Sequence, residues 1–436
     1  MTNTPELLLP AGSLDKMRNA FFFGADAVYA GQPRYSLRAR NNEFQPEQLA
    51  TGINEAHELG KKFYVASNLM PHNAKLKTYL ADMAPVIEMG PDALIMADPG
   101  LIMLVREKWP EVPVHLSVQA NTVNYAAVRF WKSMGLTRVI LSRELSLDEI
   151  AEIRQQCPDM ELEVFVHGAL CIAYSGRCLL SGYFNHRDAN QGTCTNSCRW
   201  DYKVHEGTEN ATGDVVATPA ACGDQQRHPE AEKVYLLEEG SRPGEMVPIE
   251  EDEHGTYIMN SKDLRAVEHI GKLVAMGIDS LKVEGRTKSG YYVARVSQSY
   301  RKAIDDAVAG RQFDTTLLSD LEGLANRGYT DGFYERHHTQ EYQNYMRGHS
   351  ESSLSQYVGD VVAYDDKTGM ADVVVKNRFQ IGDRLEVIHP SGNQVIQLGS
   401  MLDAYGKTIS VAPGSGYQVK IPLGANLDKA LLARFI

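Results

Sequence analysis

Short apolar runs alternate with amphipathic stretches from the amino terminus to about residue 310. The runs are continuously hydrophobic, as expected of strands that are buried on both faces of a parallel sheet. Most are separated by helix-type patterns such as LDKMRNAFFFGA and LDEIAEIRQQCP. The predicted strands are 6–12, 26–32, 62–68, 92–98, 114–121, 138–144, 161–168 and 280–286.

The number of strands and their spacing favour a closed barrel. Eight strands are counted if the stretch between the seventh and the eighth is an insertion. We therefore predict an α/β protein with a TIM-like (β/α)8 barrel over residues 1–310, and an insertion after strand 7 that spans 170–255. A doubly wound open sheet is the alternative.

The pattern changes after the barrel. Residues 311–354 are irregular with some helical character, and we interpret them as a connector. Short β-like runs separated by turn signals such as PSGN and PGSG fill 355–436. This pattern of short strands and turns predicts a small antiparallel β-barrel domain at the carboxyl terminus.

Composition narrows the class of protein. The net charge of −12 argues against a nonspecific nucleic-acid binder, and residues 200–255 hold fourteen acids against four Lys/Arg. No apolar run approaches the roughly 20 residues of a membrane span. The chain opens on MTNTPELLLP, which lacks the basic start and apolar run of a signal peptide. We expect a cytoplasmic protein with reduced thiols and no membrane partner.

Polar residues follow the predicted strands, where a barrel enzyme carries its chemistry. At least eight Lys/Arg would lie on this one rim of an acidic chain, which predicts binding of an anion such as a carboxylate, a phosphate or an RNA backbone. The substrate-binding candidates are Arg34, Arg38, Arg40, His72, Lys75, Gln119, Asn121, Arg286 and Lys288. Tyr35 and Phe44 stand among the arginines and either stack on bases or pack against the barrel.

Three further residues at strand ends are candidates for catalysis. They are Arg143 after strand 6, His167 after strand 7 and Glu284 after strand 8. An imidazole that titrates near neutral pH is suited to proton transfer. A core histidine that is hydrogen-bonded to the barrel is the alternative for His167.

Four of the six cysteines lie in the stretch that follows strand 7, with the spacing C-x6-C-x15-C-x3-C. They are Cys171, Cys178, Cys194 and Cys198. Four thiolates suit an iron–sulfur cluster or a tetrahedral zinc ion, and the absence of C-x2-C pairs favours the cluster. Disulfide bonds between these four cysteines are the less favoured interpretation. Cys222 is able to replace one ligand, and Cys157, in a helical stretch, is expected to be a free core cysteine.

The segment HGALCIAYSGRCLLS resembles the signature of the peptidase U32 family, and NQGTCTNSCRW and SLKVEGRTKS extend the match. The resemblance covers essentially the whole chain, including the C-terminal β domain. Within the family, PELLLPAG and PDALIMADPGLI are most similar to the members that hydroxylate tRNA.

This resemblance implies oxygen-independent formation of 5-hydroxyuridine at the wobble position of tRNA. It implies a [4Fe–4S] cluster on Cys171, Cys178, Cys194 and Cys198, loaded by iron–sulfur assembly machinery. It also implies dependence on prephenate or a similar small carboxylate. Relatives that hydroxylate a ribosomal RNA cytidine or ubiquinone precursors provide alternative substrates.

The family's historical name implies a competing function, that of a peptidase or collagenase-like hydrolase. The metallopeptidase motif H-E-x-x-H and the serine hydrolase elbow G-x-S-x-G are both absent around the candidate residues. A cysteine peptidase that pairs His167 with Cys171 is a possible arrangement only if Cys171 holds no metal. An inert RNA-binding or assembly factor, with a purely structural cluster, is the third class.

Overall fold

The computed structural model describes residues 4–37, 44–170, 263–286, 288–324, 328–335 and 355–436. Within 171–262 it describes only the backbone of six short strands.

Seven parallel strands follow one another along the first part of the chain. They are β1 (Glu6–Pro10), β2 (Ala27–Gly31), β3 (Lys62–Ser67), β4 (Ala93–Met96), β5 (Val114–Leu116), β6 (Arg138–Ile140) and β7 (Glu161–Ala169). Each strand pairs with the next in chain order. Leu7, Leu8 and Leu9 are fully buried, which accounts for the unbroken apolar runs of the sequence.

Helices on the outside connect these strands. They are α1 (Leu14–Phe22), α2 (Pro46–Glu58), α3 (Asn73–Glu88), α4 (Pro99–Lys108), α5 (Tyr125–Ser133) and α6 (Leu147–Gln156). Local capping determines where several of them begin: Asp98 accepts from the backbone N–H of Leu101, and Ser146 forms a capping box with Glu149. Most of these helices start shortly after the preceding strand ends, whereas a longer loop connects Gly31 at the end of β2 to Pro46 at the start of α2.

The chain between β7 and the last barrel strand forms a separate excursion. Six short strands of this excursion pair two by two in antiparallel fashion. They are β8 (Gly207–Glu209), β9 (Val215–Ala217), β10 (Tyr235–Glu238), β11 (Met246–Ile249), β12 (Glu251–Asp252) and β13 (Gly255–Thr256). Strand β14 (Asp263–Arg265) then pairs antiparallel with β7, with Asp263 opposite Ala169. The excursion therefore leaves and rejoins the barrel at one place.

The last barrel strand closes the sheet. After α7 (Ile270–Met276), strand β15 (Ser280–Val283) pairs in parallel with both β1 and β7. The predicted eight-stranded barrel is confirmed, and the open doubly wound sheet is excluded. Helices α8 (Gly290–Val308) and α9 (Thr316–Glu322) follow, and β16 (Tyr329–Thr330) extends the sheet beside β14. Among the residues that the structure describes, no helix is long and apolar enough to cross a membrane.

Buried ion pairs fill the amino-terminal half of the barrel interior. Arg138 lies 2.6 Å from Glu6 and 3.1 Å from Glu163, and Lys282 lies 2.7 Å from the other oxygen of Glu163. Burial alone would raise the pKa of Glu6, but the charge and hydrogen bond of Arg138 outweigh it and lower that pKa. This network forms a plug beneath the mouth.

The C-terminal residues form an antiparallel β domain with a core of its own, which confirms the predicted antiparallel domain. Its main sheet is open at both edges and is not the closed barrel that was predicted. The strands of this domain are β17 (Ser355–Asp365), β18 (Met370–Val375), β19 (Phe379–Gln380), β20 (Arg384–Ile388), β21 (Gln394–Gln397), β22 (Leu402–Asp403), β23 (Val411–Ala412), β24 (Gln418–Pro422) and β25 (Leu431–Phe435). Seven of them form the main sheet, whereas β19 and β23 pair with each other in a separate two-stranded sheet. Strand β25 lies between β17 and β20 and was not predicted, because LLARF carries no turn signal or alternation of its own.

The C-terminal sheet is fastened to α8. Arg295 on this helix lies 2.8 Å from Glu386 on β20 and 3.2 Å from Asp320. The rings of Tyr291 and Tyr357 stack with their centroids 5.0 Å apart. These contacts hold the C-terminal sheet against the outer helix α8.

Candidate functional site at the barrel mouth

Hydrogen bonds join polar groups from four strand ends into one arc across the mouth. After β15, Arg286 donates from Nη1 to Oγ of Ser36 at 2.8 Å. The backbone N–H of the next residue, Leu37, donates to Oδ1 of Asn68 at 3.3 Å, and Asn68 in turn donates to Oε1 of Gln119 at 3.0 Å. We call these groups, together with Ser117, the mouth arc.

The end of the arc sits on a short 3-10 turn, Val118–Ala120. Ser117 donates from its hydroxyl to the same oxygen of Gln119 that Asn68 contacts. Asn121 closes the turn in the left-handed region with φ 51°, and its side-chain amide donates to the backbone carbonyl of Gln119 at 2.9 Å. Asparagine tolerates this backbone conformation better than most residues, so its position beside Gln119 is a local requirement.

Gly31 makes room for the start of the arc. A Cβ atom at this position would lie 2.6 Å from Nη1 of Arg286 and 2.5 Å from Oγ of Ser36. Any larger residue would therefore force Ser36 or the guanidinium of Arg286 to move.

The opposite side of the mouth is held by Arg143. Its Nη2 lies 2.9 Å from Oε2 of Glu284, and its Nη1 donates to the carbonyl of Ala169 at 3.0 Å. The guanidinium also lies 3.9 Å above the ring centroid of Phe165. Gly168 allows the backbone of Glu284 to lie close to β7, because at φ 111° a Cβ atom on residue 168 would meet the carbonyl oxygen of Glu284 at 2.6 Å.

Aromatic rings and a buried lysine form the floor. Nζ of Lys282 lies 4.4 Å from the ring centroid of Tyr29 and 5.4 Å from that of Phe165. Burial lowers the pKa of Lys282, and the neighbouring Glu163 opposes that shift. Lys282 therefore joins the floor to the ion-pair plug through Glu163.

His167 faces away from the barrel interior. Its Nδ1 lies 3.2 Å from the hydroxyl of Tyr300 on α8, and its ring also contacts Tyr292 and Tyr329. Burial lowers its pKa to about 3, so the imidazole is neutral near pH 7. The arrangement agrees with the core-histidine alternative and leaves the proton-transfer hypothesis without geometric support.

Several predicted substrate-binding residues lie at the outer rim and not in the arc. Arg34 is paired with Asp82 on α3 at 2.7 Å. His72 is exposed and precedes α3, while burial lowers the pKa of Lys75. Lys288 lies 4.0 Å from Asp263, at the base of the excursion. The structure therefore brings together Gln119, Asn121 and Arg286, and separates them from this outer group.

Other predicted residues lie outside the described part of the chain. They are Arg38, Arg40, Cys171, Cys178, Cys194, Cys198 and Cys222. Cys157 is free and buried, as predicted. Tyr35 and Phe44 are both fully buried, so packing against the barrel is the correct interpretation and base stacking is excluded.

Sequence reasoning missed Asn68, Ser117 and the floor residue Lys282. Asn68 directly follows β3, so its position at a strand end was available as a signal. Lys282 interrupts the apolar run SLKV, and a charge within a buried strand indicates a partner inside the barrel.

A closed (β/α)8 barrel with a polar mouth defines the class of this protein. The family model for peptidase family U32 matches residues 12–344, and that for the U32 C-terminal domain matches 354–434. The chain therefore belongs to peptidase family U32.

Curated relatives resemble it along nearly its whole length. It is 61% identical over 438 residues to tRNA hydroxylation protein P of Escherichia coli, which covers 99% of this chain and 96% of that protein. It is 59% identical over 443 residues to the protein of the same name from Haemophilus influenzae, with 99% and 96% covered. A more distant relative, an Escherichia coli 23S rRNA 5-hydroxycytidine synthase, is 29% identical over 83% of this chain and 47% of its own length.

Proposed function

We propose that this chain hydroxylates tRNA. The observation that carries the proposal is the 61% identity, over 99% of the chain, to a tRNA hydroxylation protein. The mouth arc supports it, because polar side chains held in place at the carboxyl end of a barrel are suited to binding a polar substrate.

The finer assignment is hydroxylation at C5 of the wobble uridine, without molecular oxygen, in the cytoplasm. Prephenate or a similar small carboxylate is the proposed co-substrate. Arg286, which is 7% exposed and held by Ser36, is the cation of the arc that would bind a carboxylate or phosphate.

A [4Fe–4S] cluster is the proposed cofactor, held by Cys171, Cys178, Cys194 and Cys198. The donor set fits, since four thiolates ligate such clusters. The pairing of Ala169 with Asp263 supports a place near the mouth, because both ends of the cysteine-bearing excursion begin there. When bound, the cluster would supply electron transfer or an iron site for an oxygen ligand. Iron–sulfur assembly machinery is then a partner of the chain.

The mouth arc offers little to a peptidase. This holds for the serines of the mouth arc, since the hydroxyls of Ser36 and Ser117 are bonded to Arg286 and Gln119, neither of which is a general base. Ser142, after β6, does donate to a carboxylate, that of Glu144. His167 is turned towards Tyr300 on the outer helix.

Nucleoside mass spectrometry of tRNA from a strain that lacks this gene tests the proposal. We expect 5-hydroxyuridine and nucleosides derived from it to be lost, and to return when the gene is restored on a plasmid. Unchanged tRNA, together with loss of a hydroxylated nucleoside from ribosomal RNA, would favour the rRNA-modifying alternative.

Iron analysis of anaerobically purified protein tests the cofactor separately. We expect brown protein with about four irons per chain. Replacement of Cys171 and Cys178 by Ser should abolish the colour, whereas replacement of the core Cys157 by Ser should keep it. Stoichiometric zinc without iron, after anaerobic reconstitution, would contradict the cluster.

A further inference from the structure

We infer that Gln119 selects the pyrimidine base, by presenting an amide N–H group that accepts uracil and rejects cytosine. The inference rests on the proposed function and adds to it a residue that determines specificity.

The orientation of the amide follows from one donor whose identity is certain. The backbone N–H of Leu37 can only donate, so it fixes Oδ1 of Asn68 on its own side. The NH2 group of Asn68 must then point towards Gln119, at 3.0 Å. Oε1 of Gln119 therefore lies on the side of Asn68, and the hydroxyl of Ser117 donates to the same atom.

With Oε1 committed, Nε2 of Gln119 is left to face the mouth. Within the described part of the chain, Oε1 accepts two hydrogen bonds and no acceptor contacts Nε2. Gln119 is 7% exposed. Its Nε2 atom is not fully buried, whereas Nδ1 of His115 is fully buried and has no hydrogen-bond partner. The Nε2 amide group of Gln119 is therefore a hydrogen-bond donor in a fixed position at a site with little solvent exposure.

A donor at this place discriminates between the two pyrimidines. Uracil carries a carbonyl oxygen at C4 and can accept from Nε2, whereas cytosine carries an amino group there, which is itself a donor. Two donors that face each other in a buried site leave both unpaired, which costs more than the lost bond alone.

The charges of the mouth favour a neutral base at this end of the arc. The guanidinium of Arg143 is already paired with Glu284 at 2.9 Å, and the ammonium of Lys282 with Glu163 at 2.7 Å. Gln119 is itself neutral, and the cation of the arc, Arg286, lies at its other end beside Ser36. A carboxylate is suited to the Arg286 end, and a carbonyl oxygen of a base to the Gln119 end.

Gln119→Glu tests the inference. The substitution is isosteric and keeps one oxygen for Asn68 and Ser117, but it replaces the donor facing the mouth with an acceptor. A strain lacking the gene would express each variant with a tRNA whose wobble base is either uridine or its cytidine replacement. Hydroxylated uridine and cytidine are then measured by mass spectrometry.

For Gln119→Glu we expect hydroxyuridine to fall at least about tenfold, and the ratio of hydroxycytidine to hydroxyuridine to rise. Ser117→Ala, which removes one of the two bonds that orient the amide, should reduce the preference for uridine by a smaller factor. Gln155→Glu, the same change at an exposed position of α6, should match the wild type.

The inference is overturned if Gln119→Glu keeps the wild-type yield and base preference. It is also overturned if folded Gln119→Glu lowers both bases by the same factor, since Gln119 would then hold a group common to both substrates. Should Gln119→Glu not fold, an unchanged preference in Ser117→Ala overturns it. If the wild type forms no hydroxyuridine, the proposed function itself fails.

Discussion

Arg143 and Glu284 are joined across the barrel mouth, with Nη2 of the arginine 2.9 Å from Oε2 of the glutamate. The same guanidinium donates to the carbonyl of Ala169, two residues before the first cysteine of the cluster motif. Sequence reasoning assigned both residues to catalysis. The geometry instead favours a role in holding the end of β7, where the cysteine-bearing excursion departs.

Replacement of Arg143 by Met should therefore weaken cluster retention. The change leaves Glu284 without this cation and the Ala169 carbonyl without this donor, and we expect a loss of about 1.5–3 kcal/mol in stability. Iron content after gel filtration and the urea midpoint measure the two effects. Arg18→Met, which breaks the surface pair with Glu55, should cost less than about 1 kcal/mol and leave the iron content unchanged. Full iron retention in Arg143→Met would refute the holding role.

The ion-pair plug predicts a larger effect at Arg138. Arg138→Met would leave the buried carboxylates of Glu6 and Glu163 without their shared cation, at a cost of about 3–5 kcal/mol. Urea denaturation monitored by circular dichroism checks this value. The same substitution at Arg129, on the exposed side of α5, provides the control and should shift stability by less than about 1 kcal/mol.

Two buried histidines predict that acid destabilises the fold. Burial lowers the pKa of His167 to about 3 and that of His115 well below its usual value. Below about pH 6.5 the unfolded chain binds protons that the native state does not, so stability falls as the pH falls, by up to about 1.4 kcal/mol per unit for each histidine. The slope of unfolding free energy between pH 6.5 and 5 should be smaller in His167→Gln. An identical slope in the variant would show that His167 titrates normally.

The lowered pKa of His167 also leads to a prediction about catalysis. A neutral His167 that is packed against Tyr300 does not titrate between pH 6 and 8, so its replacement by Gln should leave the pH profile of hydroxylation unchanged in shape. Loss of a limb of that profile in His167→Gln, with iron content unaltered, would restore the proton-transfer hypothesis.

The contact between the barrel and the C-terminal sheet is also testable. Arg295 is 5% exposed and is paired with Glu386 on β20, so Glu386→Gln removes one of its carboxylate partners. We expect faster proteolysis between the barrel and the sheet, and a loss of about 1–3 kcal/mol in stability. Unchanged proteolysis would mean that the stacked rings of Tyr291 and Tyr357 suffice to hold the sheet.

The strands of the barrel were predictable because a parallel sheet buries both faces, and runs such as ELLLP record that burial directly. Strand β14 was not, since its three residues are extended only because β7 provides a partner. The same holds for the site. Strand-end position identified Gln119 and Arg286, but their partners, Asn68 and Ser36, follow from distances that only the closed barrel determines.

In the proposed reaction, this chain itself adds an oxygen atom to a tRNA uridine. The most direct measurement incubates anaerobically purified, iron-loaded protein with tRNA from the gene-deleted strain and with prephenate, and then analyses the digested nucleosides by mass spectrometry. We expect 5-hydroxyuridine in amounts that increase with protein concentration, and none with the Cys171→Ser variant. Formation of 5-hydroxyuridine in the gene-restored cells, but none with loaded protein in any amount, would contradict it and favour an assembly role.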